Sequence, residues 1–229
     1  MKTPAITYKP LAPLGGCVRA PGDKSISHRA LILAALANGE TRIHNILRGD
    51  DILATAAAME AFGAKIKKDS DTLWRVQGCG CDGFKSPAAP VDFGNAGTGV
   101  RLVMGAASGF DIQVRYVGDA SLSARPMGRI LQPLGEMGAR FQSNDGKLPV
   151  QQTKGGHLQG QSFTPKHASA QIKSAILLAG LQANGVTEVV EKTLTRDHTE
   201  NMLRAFGVTI DQTPMGQGQK VRLHGPATL

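Results

Sequence analysis

The sequence predicts an α/β domain in which one helix–strand–helix–hairpin unit is built three times, and three sets of landmarks predict it. Ala61-Phe62-Gly63-Ala64-Lys65-Ile66, Glu136-Met137-Gly138-Ala139-Arg140-Phe141 and Ala205-Phe206-Gly207-Val208-Thr209-Ile210 share one pattern, repeated at intervals of about 70 residues. In each copy an amphipathic segment stops at a glycine, which takes a left-handed turn at little steric cost, and the chain then reads as a strand. Ala37-Asn38-Gly39, Ala107-Ser108-Gly109 and Ala183-Asn184-Gly185 repeat in the same way, each closing a small-residue apolar helix. The third set is the hairpins: Asp69-Ser70-Asp71 before Leu73-Trp74-Arg75-Val76, Asn144-Asp145-Gly146 before Pro149-Val150, and Pro214-Met215-Gly216 before Lys220-Val221-Arg222-Leu223.

Taken in order, the units begin with helices of related character. Gly22-Asp23-Lys24-Ser25-Ile26-Ser27-His28-Arg29 opens the apolar run Ala30–Leu36. A helix N-terminus offers unpaired N–H groups and the positive end of a dipole, so cations and hydroxyls there outline an anion site. Those eight residues taken alone read rather as a capped helix with solvated charges. The recurrence of similar starts at Asn95-Ala96-Gly97-Thr98-Gly99 and Ala168-Ser169-Ala170-Gln171-Ile172-Lys173 favours the anion site. If the units pack around a pseudo-threefold axis, the three starts face one end and their dipoles add. The helices they open, such as Ala175-Ile176-Leu177-Leu178-Ala179-Gly180-Leu181, are small and apolar all round, which suits burial on every side.

Two further segments carry cations. Arg125 stands just ahead of a helix led by Pro126, where it either projects into a cleft or pairs with Asp119 or another carboxylate to fix its loop. Thr195-Arg196-Asp197-His198-Thr199-Glu200 reads as a capping segment with surface ion pairs, or as another anion contact.

Composition bounds the function. The 229 residues can bury a sizeable core, and 41% hydrophobic with 19% charged is ordinary for a globular domain. A net charge of +8 with only 4% aromatic residues favours small anionic ligands over single-stranded nucleic acid, whose binding would need stacking platforms. Cys17, Cys79 and Cys81 make no disulfide framework, and the six histidines form no cluster at metal-binding spacing, so no metal is expected. No signal-peptide or membrane-spanning pattern is present, which leads to the expectation of a cytoplasmic protein with no membrane partner.

The residues also carry a resemblance. Pro21-Gly22-Asp23-Lys24-Ser25-Ile26-Ser27-His28-Arg29, Gly94-Asn95-Ala96-Gly97-Thr98, Arg125-Pro126-Met127-Gly128, Ser169-Ala170-Gln171 and Thr195-Arg196-Asp197-His198-Thr199-Glu200, in that order, resemble 5-enolpyruvylshikimate-3-phosphate synthase, the 3-phosphoshikimate 1-carboxyvinyltransferase family. The resemblance implies an enolpyruvyl transferase-like fold: three βαβαββ units around a pseudo-threefold axis, with substrates held between this domain and a second one. The family's chains are about twice as long, so residues 1–20 are expected to belong to the otherwise missing second domain, and 21–229 to form the three-unit domain, in units of about 21–90, 91–160 and 161–229. Ile6-Thr7-Tyr8 and Gly16-Cys17-Val18-Arg19 are then expected to be unpaired or disordered.

By the same resemblance Lys24 contacts both shikimate-3-phosphate and phosphoenolpyruvate and is the candidate catalytic residue, as a proton shuttle. Ser25 and Arg29 are expected to hold shikimate ring substituents, and Ser169, Ala170 and Arg196 its 3-phosphate. Asn95, Gly97, Arg125 and Gln171 are expected around phosphoenolpyruvate, with Gln171 touching both ligands. His198 departs from the branch that has a tyrosine there, and Leu102 from the proline found near there in the other branch. Gly97 stands where tolerant members carry an alanine that crowds glyphosate, which implies a sensitive completed enzyme.

The reaction implied by the resemblance is carboxyvinyl transfer in aromatic amino-acid biosynthesis, with no organic cofactor. Because the family's principal acid/base carboxylates lie in the second domain, this chain alone is expected to be inactive or nearly so, and to need a complementary C-terminal fragment. The alternatives are a non-catalytic anion-binding or complementing domain, and a UDP-N-acetylglucosamine enolpyruvyl transferase. The latter's reactive loop cysteine has no counterpart near Arg125. An RNA 3′-phosphate cyclase would need a catalytic histidine in a context this sequence lacks.

Overall fold

The computed structural model describes residues 13, 15–18 and 20–229. Its first helix, α1 (Lys24–Leu36), starts where the Asp23 carboxylate accepts the Ile26 N–H at 2.8 Å. It is followed by β1 (Glu40–His44), α2 (Asp50–Ala61), β2 (Lys65–Lys68) and β3 (Leu73–Gln77). The second unit contains β4 (Val91–Asp92), α3 (Gly97–Ser108), β5 (Val114–Val117), α4 (Ala120–Ser123), α5 (Gly128–Met137), β6 (Arg140–Asn144) and β7 (Lys147–Lys154). The third contains β8 (Ser162–Phe163), α6 (Ala170–Gly180), β9 (Gly185–Glu191), α7 (His198–Ala205), β10 (Ile210–Met215) and β11 (Gly218–Gly225).

Each unit makes its own sheet. The second and third have four strands, in the orders β4-β5-β7-β6 and β8-β9-β11-β10. In both, a two-residue edge strand pairs parallel with the strand after the inner helix, and the rest is antiparallel. The first sheet, β1-β3-β2, is wholly antiparallel and has no parallel edge strand among the described residues. Cys17, Val18 and Ala20 are exposed and in no strand, whereas Ile6-Thr7-Tyr8 and Arg19 lie outside the described residues.

The hairpins and glycine stops form as the sequence predicts. Gly63, Gly138 and Gly207 follow α2, α5 and α7 with φ of 113°, 121° and 87°. Two boundaries move. α5 begins at Gly128 rather than at Pro126, and the short α4, capped by Asp119, occupies the segment before Arg125. β10 runs through Pro214 and Met215, which pair with Gln219 and Gly218, so the turn falls at Gly216-Gln217.

Helices α1, α3 and α6 are the buried inner ones. Each outer helix also packs on the inner helix of the next unit: α2 on α3, α5 on α6, and α7 on α1, which closes the pseudo-threefold ring. The α3 and α6 backbones approach closely at Gly105, where a Cβ would lie 2.3 Å from the Ala175 carbonyl oxygen. Only a residue without a side chain permits that approach. Among the described residues no helix is long and apolar enough to cross a membrane.

Candidate anion-binding site

The starts of the three inner helices converge on one open cavity of about 290 Å³, lined by Lys24 of α1, Gly97, Thr98 and Arg101 of α3, Gln171 of α6, and by Asp51, Asn95 and Arg125. Ser169 caps α6 by accepting the Ile172 N–H at 3.4 Å, whereas the α3 cap residue is Ala96, which has no side-chain acceptor. The first turn of α3 therefore keeps N–H donors available for an anion.

Polar contacts fix the cavity wall. Arg101 Nη1 donates to the Gly97 carbonyl at 2.9 Å and to Gln171 Oε1 at 3.4 Å, and its Nη2 donates to the Pro126 carbonyl at 3.2 Å. Gln171 Nε2 donates to Thr98 Oγ1 at 3.0 Å, so α3 and α6 are tied together across the cavity. Arg125 donates to Asn95 Oδ1 and, at 3.3 Å, to Ser121 Oγ. Burial lowers the Arg101 pKa from its ordinary value, and the nearby Arg125 and Arg129 lower it further. Like charges held together in a partly dry site favour a bound anion.

Lys24 forms an ion pair with Asp51 in the first turn of α2. Below them, Thr55 Oγ1 donates to the Asp51 carbonyl at 3.1 Å and so accepts from His28 Nδ1, 2.8 Å away. That fixes the tautomer of His28 and leaves Nε2 buried without a partner. Burial pushes the His28 pKa down to about 4, so the ring is neutral at pH 7.

The structure thus brings Lys24, Asn95, Gly97, Arg125 and Gln171 into one cavity, whereas Ser25, Arg29, Ser169, Ala170 and Arg196 do not line it. Ser25 is half-buried, and its carbonyl accepts from Arg29 Nη1 at 2.9 Å. Arg29 is only 3% exposed; its Nε donates to Thr199 Oγ1 at 2.7 Å and its Nη2 to Ser174 Oγ at 2.6 Å. Burial brings its pKa down to about 10, which leaves it charged. Ala170 opens α6 and accepts from Ser174 Oγ at 2.6 Å. Ser169 lines a separate cavity of about 230 Å³ with Lys166, Lys173 and Lys192, while Arg196 is exposed in the loop before α7.

The sequence motifs include Thr98 without giving it a role, and leave out Arg101 and Asp51 altogether. Arg101 had a signal, since it stands four residues after Gly97 on the same face of α3. Asp51 had none, because its relation to Lys24 is a contact between two helices. A second cavity, about 360 Å³, lies between α5 and α6 with Phe163, Ile172 and Ile176 in its lining. It shares none of the residues of the cationic site.

With this geometry established, comparison with known proteins is decisive. The family model described as EPSP synthase (3-phosphoshikimate 1-carboxyvinyltransferase) matches residues 8–229. The chain belongs to the EPSP synthase family. It is 52% identical over 225 residues to the 3-phosphoshikimate 1-carboxyvinyltransferase of Caulobacter vibrioides, covering 98% of this chain and 50% of that relative. With the enzyme of the same name from Bradyrhizobium diazoefficiens it shares 53% identity over 226 residues, covering 95% of this chain and 47% of the relative. The structure of EPSP synthase from Acinetobacter baumannii superposes with a TM-score of 0.87 at 44% identity, over 93% of this chain and 48% of that one. The chain thus spans about half the length of the EPSP synthases it matches.

Proposed function

We propose that the cavity at the three helix starts holds shikimate-3-phosphate and phosphoenolpyruvate for transfer of the carboxyvinyl group between them, in cytoplasmic aromatic amino-acid biosynthesis. The observation that carries this reading is the convergence of Lys24, Arg101, Arg125 and Gln171 on the uncapped start of α3. Two multiply charged anions repel each other, and a wall of fixed cations and helix dipoles offsets that repulsion while orienting the reacting atoms.

In this reading Arg125 and Gln171 grip phosphoenolpyruvate, with Asn95 and Gly97 forming the turn that receives it, and Arg101 completes the cationic wall. Ser169, Ala170 and Arg196 take the 3-phosphate, and Ser25 with Arg29 the ring substituents. The 5-hydroxyl oxygen bonds to the central carbon of phosphoenolpyruvate, the methylene carbon gains a proton, and the hydroxyl proton departs. Phosphate then leaves the tetrahedral intermediate as a proton is lost from the new methyl group, which restores the vinyl group. Lys24 lies between the anions as a positive charge able to pass a proton, and Asp51 orients it.

The cations in the described cavity outnumber the carboxylates, and its one carboxylate, Asp51, is already paired with Lys24. This supports the further proposal that the 229-residue chain binds ligands but turns over only with a C-terminal half supplied. Phosphate release from the two substrates, assayed with the chain alone and after mixing with the C-terminal half of a relative, tests this. Activity only on mixing is the expected result, and full activity of the chain alone would overturn the division of labour. A non-catalytic anion-binding role is the second reading, favoured by the openness of the cavity to solvent; it predicts ligand binding without phosphate release in either arm.

A further inference from the structure

Asp119 does two jobs at once. Its Oδ1 accepts the Leu122 N–H at 2.7 Å and so caps α4, and its Oδ2 accepts from Asn95 Nδ2 at 2.8 Å. The other end of the Asn95 amide, Oδ1, accepts from Arg125 Nη2. This orientation follows from chemistry: a carboxylate only accepts and a guanidinium only donates, so the amide between them has one satisfactory orientation. The backbone reinforces the arrangement, because the Asp119 N–H donates to the Gly94 carbonyl at 2.9 Å beside Asn95. The hydrogen bonds from Leu122 and Asn95 also hold the Asp119 carboxyl below the usual carboxylate range, as expected of a charge accepting two N–H bonds.

We propose that Asp119 is a positioning residue that locks the Asn95 amide with its oxygen toward Arg125 and thereby aims the guanidinium into the anion cavity. The sequence offered a direct Asp119–Arg125 pair; the relay through Asn95 is different in consequence. A direct salt bridge would neutralise Arg125, whereas the relay orients it by a neutral acceptor and leaves its charge for the ligand. The role deepens the phosphoenolpyruvate reading and rests on it.

The informative substitution is Asp119→Asn. Asparagine caps a helix as well as aspartate does, so α4 and the melting temperature are retained. It removes the negative charge and, with one oxygen on the cap, turns an amide donor toward Asn95. Asn95 then flips and presents its own donors to Arg125. Titration of the 229-residue chain with phosphoenolpyruvate is expected to show affinity reduced about tenfold by Asp119→Asn. The same substitution is expected to add little in an Asn95→Ala background, because the relay is already broken there. Amide NMR reads the lock without ligand: the Asn95 side-chain signals are shifted and protected in the wild type and lose both properties in Asp119→Asn.

Unchanged Asn95 signals in Asp119→Asn would overturn the proposal, as would wild-type affinity or the same tenfold loss in the Asn95→Ala background. Absence of phosphoenolpyruvate binding by the wild type, with the NMR signature of the lock present, would instead overturn the substrate reading and uphold the Asp119–Asn95–Arg125 geometry.

Discussion

Gly97 is the residue on which two guanidinium groups close. A Cβ there would lie 2.8 Å from Arg125 Nη1 and 3.1 Å from Arg101 Nη1, so alanine displaces side-chain ends rather than backbone. Gly97→Ala is therefore expected to leave the fold intact and to change the anion site: in the enzyme completed by its C-terminal half, the inhibitory concentration of glyphosate rises by about an order of magnitude or more. Unchanged inhibition would contradict this. Arg125→Ala is expected to weaken phosphoenolpyruvate binding about ten- to hundredfold in a calorimetric titration, the value of one or two charge-assisted hydrogen bonds. His28 supplies a pH signature in the same region. Its pKa falls from 6.5 to about 4 on folding, so between those values the unfolded chain binds a proton that the folded chain does not. Burial is the main cause, with Lys24 and Arg29 adding to it and Asp51 opposing it. Stability is thus lost as the pH falls through this window, by up to about 3 kcal/mol. Urea unfolding of His28→Asn across the same range is expected to show a correspondingly flatter pH dependence.

Among the elements, α6 is held by a charge that its sequence gives little reason to expect. Lys173 lies within an apolar helix and is 1% exposed, with Glu191 of β9 at 2.7 Å and Glu200 of α7 at 2.6 Å. Gln219 of β11 donates to Glu191 at 2.8 Å, so four elements meet at this cluster. Burial raises the Glu200 pKa, and the Lys173 charge opposes that shift. Lys173→Met strands two carboxylates in the interior and is expected to cost about 3–5 kcal/mol in urea denaturation. A loss below about 1 kcal/mol would show that the carboxylates find water or protons instead. This cluster marks where sequence reading stopped. Gly63, Gly138 and Gly207 announced the unit ends because their signal is local, a left-handed residue after a helix. The Lys24, Gly97 and Gln171 starts were legible because repetition placed them at equivalent corners. The partners of Lys173 and the Asp51–Lys24 pair come from other elements of the same unit, and the burial of Arg29 against Thr199 and Ser174 comes from another unit; no local spacing encodes either. The edge strands β4 and β8 are two residues long, too short to carry an alternating pattern.

On the scale of the whole molecule, the ring of three units gathers positive potential at one end. The formal charge of +8 is spread over the chain, but the cavity concentrates Lys24, Arg101 and Arg125 around the α3 start. Ligand affinity is therefore expected to fall as ionic strength rises, and to fall further for ligands carrying more negative charge. The central claim is one of location: the convergent helix starts, rather than the larger cavity between α5 and α6, receive the substrates. Backbone amide NMR of the 229-residue chain, recorded as shikimate-3-phosphate and phosphoenolpyruvate are added, tests it most directly. The account predicts saturable shifts concentrated at Lys24, Gly97, Thr98, Ser169 and Gln171. Shifts concentrated instead at Phe163, Ile172 and Ile176, or none at saturating ligand, would contradict it.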